Sequence, residues 1–241
     1  MSADDGQETY PQSHPAFPVH IRQLEDPGLN PDLSNLKDLS LARFRQALQG
    51  PHGEIVESTT LEVLKLLQKN GRGVARESLP VPLRKEGLEC QTMTLLNGIQ
   101  AWQGRGSIES LIPRLPHIRQ RAHENEARRG FPQGEMMMLA VDEILQEEGY
   151  LGDAFRDRNP LQIAGLLFTT PSFLGIASPD NFHAYTVVPL QASANPAEFA
   201  ERIDSRRGGG STLSPAQFLD LTINKNPREN HVVYMLKGRQ T

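Results

Sequence analysis

Cysteine is nearly absent from this chain: Cys90 is alone among 241 residues. A single thiol excludes an intrachain disulfide framework and any multi-thiolate metal site. There is no His-x-x-x-His pair, no carboxylate loop with calcium-type spacing, no P-loop and no G-x-G-x-x-G. No apolar run approaches the roughly 20 residues that cross a bilayer. The first twenty residues hold no Lys or Arg and no apolar stretch, so no secretory signal is expected there. An excess of one charge is also missing. Lys plus Arg is 25 and Asp plus Glu is 29, a net charge of −4, which argues against binding nucleic acid or membrane surfaces by bulk charge. The expectation is a soluble protein of a reducing compartment, with no cofactor, no metal, and no nucleic-acid or membrane partner.

Hydrophobic residues at 37% suffice for a core. They are not spread evenly. Residues 1–31 are interrupted by Pro11, Pro15, Pro18, Pro27 and Pro31 and show no sustained apolar period, so this stretch reads as a disordered tail. Residues 32–78 read as a helical extension. Its first helix, over 32–49, is capped by Asp32 or Ser34. Its second is announced by a Thr59-x-x-Glu62 capping box and ends at Gly71, in a left-handed C-terminal position. Both helices are amphipathic and must bury their stripes, either in the core or against a docked substrate. Pro80 and Pro82 hold a connector extended.

Residues 79–241 read as the catalytic domain. A third helix opens around Cys90, with Met93, Leu96 or Leu95, Ile99 and Trp102 as its stripe and Gly98 permitting close packing. Residues 107–112 suit a short turn, and the polar run 117–130 suits a solvated helix or loop. Glu135–Glu147 is helical and ends at Gly149. Asn159-Pro160 caps a helix over 161–167. The period then changes. Ser172–Ala177 and Phe182–Leu190 alternate as strands across a turn, Phe199–Ile203 is ambiguous, Gly208-Gly209-Gly210 suits a mobile loop, a helix starts at Ser214-Pro215, and His231–Leu236 is a closing strand. The fold class is α+β.

Cys90 stands at the predicted N-terminus of a helix, where the first-turn N–H groups favour a thiolate, the reactive form of cysteine. Strand alternation puts His183 on one face with Tyr185 and Val187. Of the other histidines, His14 and His20 lie in the tail, His52 in a loop, and His117 and His123 in the polar run, leaving His231 as the main competitor. A third group orients the imidazole in such sites. Asp204 is the candidate and Asn195 the rival.

Cysteine on a helix, histidine on a strand about 90 residues later, then Asp or Asn on the next strand resembles the order of papain-like cysteine peptidases. Leu88-Glu89-Cys90-Gln91-x-x-x-Leu95-Leu96-Asn97-Gly98-Ile99-Gln100 resembles the cysteine helix of the Josephin family of ubiquitin-specific peptidases, the ataxin type. Gly134–Gly149 is similar to its glycine-led second helix, His183-Ala184-Tyr185-Thr186-Val187 to its histidine strand, and Val232–Gly238 to its closing strand. The likeness spans about residues 83–238. It implies a papain-like fold, with the catalytic helix packed on a mainly antiparallel sheet and a helical N-terminal extension. It implies thiol hydrolysis of ubiquitin or ubiquitin-like conjugates through Cys90, His183 and Asp204, with ubiquitin or a ubiquitin-like protein and a protein substrate as partners. The family also carries a glutamine about five residues before the cysteine. Arg84-Lys85-Glu86-Gly87 offers none, so the backbone N–H of Cys90, or else Gln91, would hold the oxyanion. Two other classes fit the same residues: an effector-type deamidase or acyltransferase of this clan, and an inactive protein-binding module. The corresponding locations are the cytoplasm, the nucleus, or a host cell if the chain is a bacterial effector.

Overall fold

The computed structural model describes residues 35–83, 90–129, 137–178, 183–206, 209–223 and 229–237. The tail 1–31, the proposed caps Asp32 and Ser34, and the Arg84–Gly87 stretch lie outside them. The helices are Leu41–Gln49 (α1), Gly53–Asn70 (α2), Cys90–Gln103 (α3), Gly106–Glu109 (α4), Leu115–Arg129 (α5), Met137–Glu147 (α6), Pro160–Thr169 (α7) and Pro215–Ile223 (α8). The strands are Leu151–Arg156 (β1), Ser172–Ser178 (β2), His183–Pro189 (β3), Ala200–Asp204 (β4), Gly209–Leu213 (β5) and Asn230–Leu236 (β6).

The strands form one six-stranded sheet in the order β1-β6-β2-β3-β4-β5, every pair antiparallel. Short connections join β2 through β5 in sequence. The closing strand β6 inserts between β1 and β2, which makes it central and explains why Val232, Val233 and Tyr234 are all buried. Helices cover both faces. Phe173, Val188, Ile203, Val232 and Tyr234 pack with Met93, Leu95, Leu96 and Ile99 of α3 and with Val141, Ile144 and Leu145 of α6. Leu174, Ile176, Tyr185, Val187 and Val233 pack with α2, α7 and α8. The protein is thus α+β, with an open antiparallel sheet between two helical layers.

Several elements differ from their sequence signals. α1 starts at Leu41 after a single 3-10 turn, Leu36–Asp38, and its cap is Ser40, whose Oγ accepts from the Arg43 N–H at 3.4 Å. α2 starts six residues before Thr59, so the Thr59-x-x-Glu62 pair falls inside the helix and caps nothing. Burial of Val56 and Thr60 extends the apolar stripe upstream and accounts for the early start. Gly71 has φ −98° and is not left-handed. Glycine is required there by close approach: a Cβ would stand 2.6 Å from the Phe168 Cβ. Gly98 behaves as expected, because a Cβ on it would lie 2.3 Å from the Phe173 ring. Gly149 ends the α6 turn at φ +83°. Asn159 forms a full capping box with Gln162. β1 has no clear alternation and was not expected. Gly209 and Gly210 belong to the edge strand β5, not to a loop.

The helical extension is part of the core. Phe44, Val63, Leu64 and Leu67 are buried against Leu167 and Phe168 of α7 and Phe218 of α8. The Asn159 side-chain amide also donates to the Leu36 and Leu39 carbonyls at 3.1 and 2.6 Å, tying the leader to α7. Deleting residues 1–70 should therefore cause aggregation or a lower Tm, because it uncovers one face of the sheet. Deleting residues 1–31 should leave the Tm unchanged. A parental Tm after the larger deletion would contradict this packing.

Asp142 on α6 is almost fully buried. Burial pushes its carboxyl up to about 7; Arg156 on β1 opposes the shift and Glu143 adds to it. The folded state then keeps a proton that the unfolded chain has released. This group's contribution to stability is full below the ordinary 3.8 and is lost as pH rises toward 7. Asp142→Asn stays neutral throughout. Its Tm should exceed the parent's by several degrees at about pH 8, with the gap closing near pH 4. Parallel Tm curves for the two proteins would show that Asp142 does not titrate in this range.

Candidate active site

The site is set by how α3 lies along β3. The Thr186 hydroxyl donates to the Thr94 carbonyl on the neighbouring α3. One turn further along, Gly98 meets Phe173, which the β2–β3 register places opposite Val188. Four helical residues, about 6 Å, thus match two strand residues, about 7 Å. At the C-terminal end of α3, the Trp102 indole N–H donates to the Ser172 carbonyl at 2.6 Å. Helix and strand therefore run in the same direction. Traced back one turn from Thr94, Cys90 stands level with Ala184, at the end of the sheet where β3 begins with His183.

Cys90 is the first described residue of α3 and is buried. Its thiol faces the Gln91 side-chain carbonyl at 3.7 Å, and its own carbonyl accepts from the Thr94 hydroxyl at 2.8 Å. Upstream, the extended Leu79–Leu83 segment is strapped to α3. The Leu83 N–H donates to Asn97 Oδ1 at 2.8 Å, and the Gln100 amide donates to the Val81 carbonyl at 3.4 Å. Asn97 and Gln100, both buried, thus fix the chain that leads into Cys90.

His183 and Asp204 meet. His183 Nε2 lies 2.9 Å from Asp204 Oδ2. Asp204 Oδ1 accepts from the Arg206 N–H at 2.9 Å, and Arg202 Nη2 stands 3.5 Å from Oδ2. Burial alone would raise the Asp204 carboxyl. The His183 bond, the Arg206 N–H and the nearby Arg202 outweigh it and hold the carboxyl below its ordinary range. Asn195 is not part of this group: it sits in an exposed turn, where its Oδ1 accepts from the Ala197 N–H at 3.1 Å. His231 occupies β6, two strands from β3, with Nε2 3.5 Å from Glu229.

Cross-strand pairing assigns the faces. Thr186 pairs with Ile203, so Tyr185 is level with Asp204, and His183, Tyr185, Arg202 and Asp204 project from the face opposite α3. Cys90 and His183 thus share an end of the sheet and approach it from its two sides. Buried polar atoms without a partner among the described residues gather at this end: Ser178 Oγ, His183 Nδ1, Arg202 Nε, Ser205 Oγ and His231 Nδ1. Unpaired buried polar atoms are costly and rare; Gln100 Oε1 on α3 and the Tyr234 hydroxyl on β6 are also buried without a partner among the described residues. Arg202, Ser178 and Ser205 went unnoticed in the sequence, since only strand register brings them beside His183. No group of three or more His, Cys, Asp or Glu that could hold a metal occurs among the described residues. No helix there is long and apolar enough to cross a membrane.

Comparison with protein-family models, with curated proteins and with solved structures gives no match.

Asp204 tests the electrostatics of the site directly. A carboxyl held low in the folded state contributes stability above its unfolded value, and that contribution is lost as pH falls below the ordinary 3.8. Asp204→Asn should therefore lower the Tm at pH 7, and the difference should shrink on acidification below about pH 4. A constant difference at all pH values would show that the carboxylate charge is not what His183 and Arg202 hold.

Proposed function

We propose that this protein is a papain-like thiol hydrolase that cleaves ubiquitin or ubiquitin-like conjugates. The observation that carries the reading is the imidazole of His183. One ring nitrogen is bound to a buried carboxylate. The other is buried without a partner, at the end of the sheet where the helix begins with Cys90. A neutral imidazole that donates from Nε2 to Asp204 carries its lone pair on Nδ1, as a base for a thiol requires. The order of Cys90, His183 and Asp204 along the chain and the Josephin-like motifs around them support the substrate class.

In the proposed reaction His183 Nδ1 takes the Cys90 proton, and the sulfur reaches it around the end of β3. The thiolate attacks the carbonyl carbon of the scissile amide, and the C–S bond forms. The tetrahedral oxyanion is met by first-turn N–H groups of α3, beginning with that of Cys90. The C–N bond breaks, and the amine leaves with the proton from His183. Water, deprotonated by the same imidazole, then hydrolyses the thioester and restores the thiol. Asp204 holds Nε2, so that the lone pair stays on Nδ1, and stabilises the transient imidazolium.

A ubiquitin chain ending in a C-terminal electrophile tests this reading. A covalent adduct on Cys90 is expected, absent in Cys90→Ala and strongly slowed in His183→Ala. Asp204→Asn should lower turnover by about 10-fold or more while leaving KM nearly unchanged. Ammonia release without chain cleavage would assign the site to a deamidase. Binding of ubiquitin with an inert Cys90 would leave only an interaction module.

A further inference from the structure

Arg202 is the charged side chain beside Asp204 that has no role in the chemistry above. Its guanidinium carbon lies 3.9 Å over the Tyr185 ring, and Nη2 reaches Asp204 Oδ2, the same oxygen that His183 Nε2 contacts. Its Nε is buried and has no acceptor among the described residues. The arginine is therefore not placed to satisfy its own donors. The ring beneath it and the carboxylate beside it hold it there, both favourable partners for a planar cation.

We propose that Arg202, stacked on Tyr185, is a positioning residue that shares Asp204 with His183 and so limits how strongly the imidazole holds its second proton. A cation on the same carboxylate oxygen weakens the field felt by the imidazolium. Without it, the Asp204 carboxylate would act on the imidazolium with no competing cation on the same oxygen. The charged and titratable groups facing the pair are few. Tyr185 stands on β3, where burial pushes its hydroxyl up to about 12, Arg202 opposes that rise, and Glu229 and Asp204 add to it. Glu229 with His231 of β6 lies on the far side of Tyr185, and Arg206 follows β4. On β5, Ser211 and Gly209 stand opposite Arg202 and Asp204 and carry no charge. α7 has no ionisable side chain, and Asp220 of α8 is exposed.

The inference rests on His183 being the base, but it can be read on the imidazole itself by NMR titration of the ring nitrogens in the full chain. Arg202→Met should raise the His183 titration midpoint by about one pH unit. The basic limb of the pH profile for Cys90 alkylation should move up with it. Arg202→Lys, which keeps the charge, should stay near the parent. Should Arg202→Met fail to fold, Arg202→Gln applies the same test. An unmoved midpoint in a folded, neutral Arg202 variant would overturn the proposal. If the midpoint moves while Cys90 alkylation is indifferent to His183→Ala, the Arg202 inference stands and the thiol–imidazole reading falls.

Discussion

The seating of α3 on β3 is the contact from which the site follows. Two features fix it: the Thr186 hydroxyl on the Thr94 carbonyl, and a glycine at 98 that lets the helix descend onto Phe173. A rigid helix pinned at two levels has no freedom to slide. The first residue of the helix and the first residue of the strand are then brought to one end of the sheet whatever the connecting loops do. Asn97 and Gln100 add a third restraint by binding the extended strap before Cys90. Both are buried, and the Gln100 amide also donates to Asn97 Oδ1 at 2.7 Å, which links the two side chains that hold the strap.

Polar groups tie down the Pro189 end of the sheet and gather without partners around His183. At the Pro189 end, Val74 exchanges backbone bonds with Pro189 and Gln191, and the Gln68 amide reaches the carbonyls of Leu190 and Glu198. At the His183 end, two imidazole nitrogens, two hydroxyls and a guanidinium nitrogen are buried without partners among the described residues. Stability and chemistry make opposite demands on such groups, since a fully satisfied imidazole is a poor base.

Local signals that depend on neighbouring residues in the chain were readable. Asn159-Pro160 announced its helix N-cap, Gly149 the end of α6, and the alternation in 183–188 its strand. Signals whose meaning depends on distant packing misled. Thr59-x-x-Glu62 has the composition of a cap, but the buried face of α2 extends upstream to Val56, so the helix runs through it. Gly71 has the position of a left-handed terminus, but its real constraint is Phe168, almost a hundred residues away. Gly209 and Gly210 lack side chains that could declare a strand. Pairing of Gly209 with Asp204 and of Gly210 with Ile203 makes them one.

For the candidate site, local patterns in the sequence offered Cys90, His183 and Asp204 as candidates, and the structure brings His183 and Asp204 together. A thiol at a helix start, a histidine in an alternating strand and an acid in the next apolar segment are each local patterns with a chemical reason. What only the tertiary structure decided is who stands beside whom. Register put Asp204 rather than Asn195 on His183, brought Arg202 onto Tyr185 and onto the same carboxylate oxygen, and turned the leader helices into the cover of a sheet face. These outcomes come from pairings between strands and helices far apart in the chain. A one-residue change of register would send each of those side chains to the opposite face, and no local pattern of residues encodes that choice.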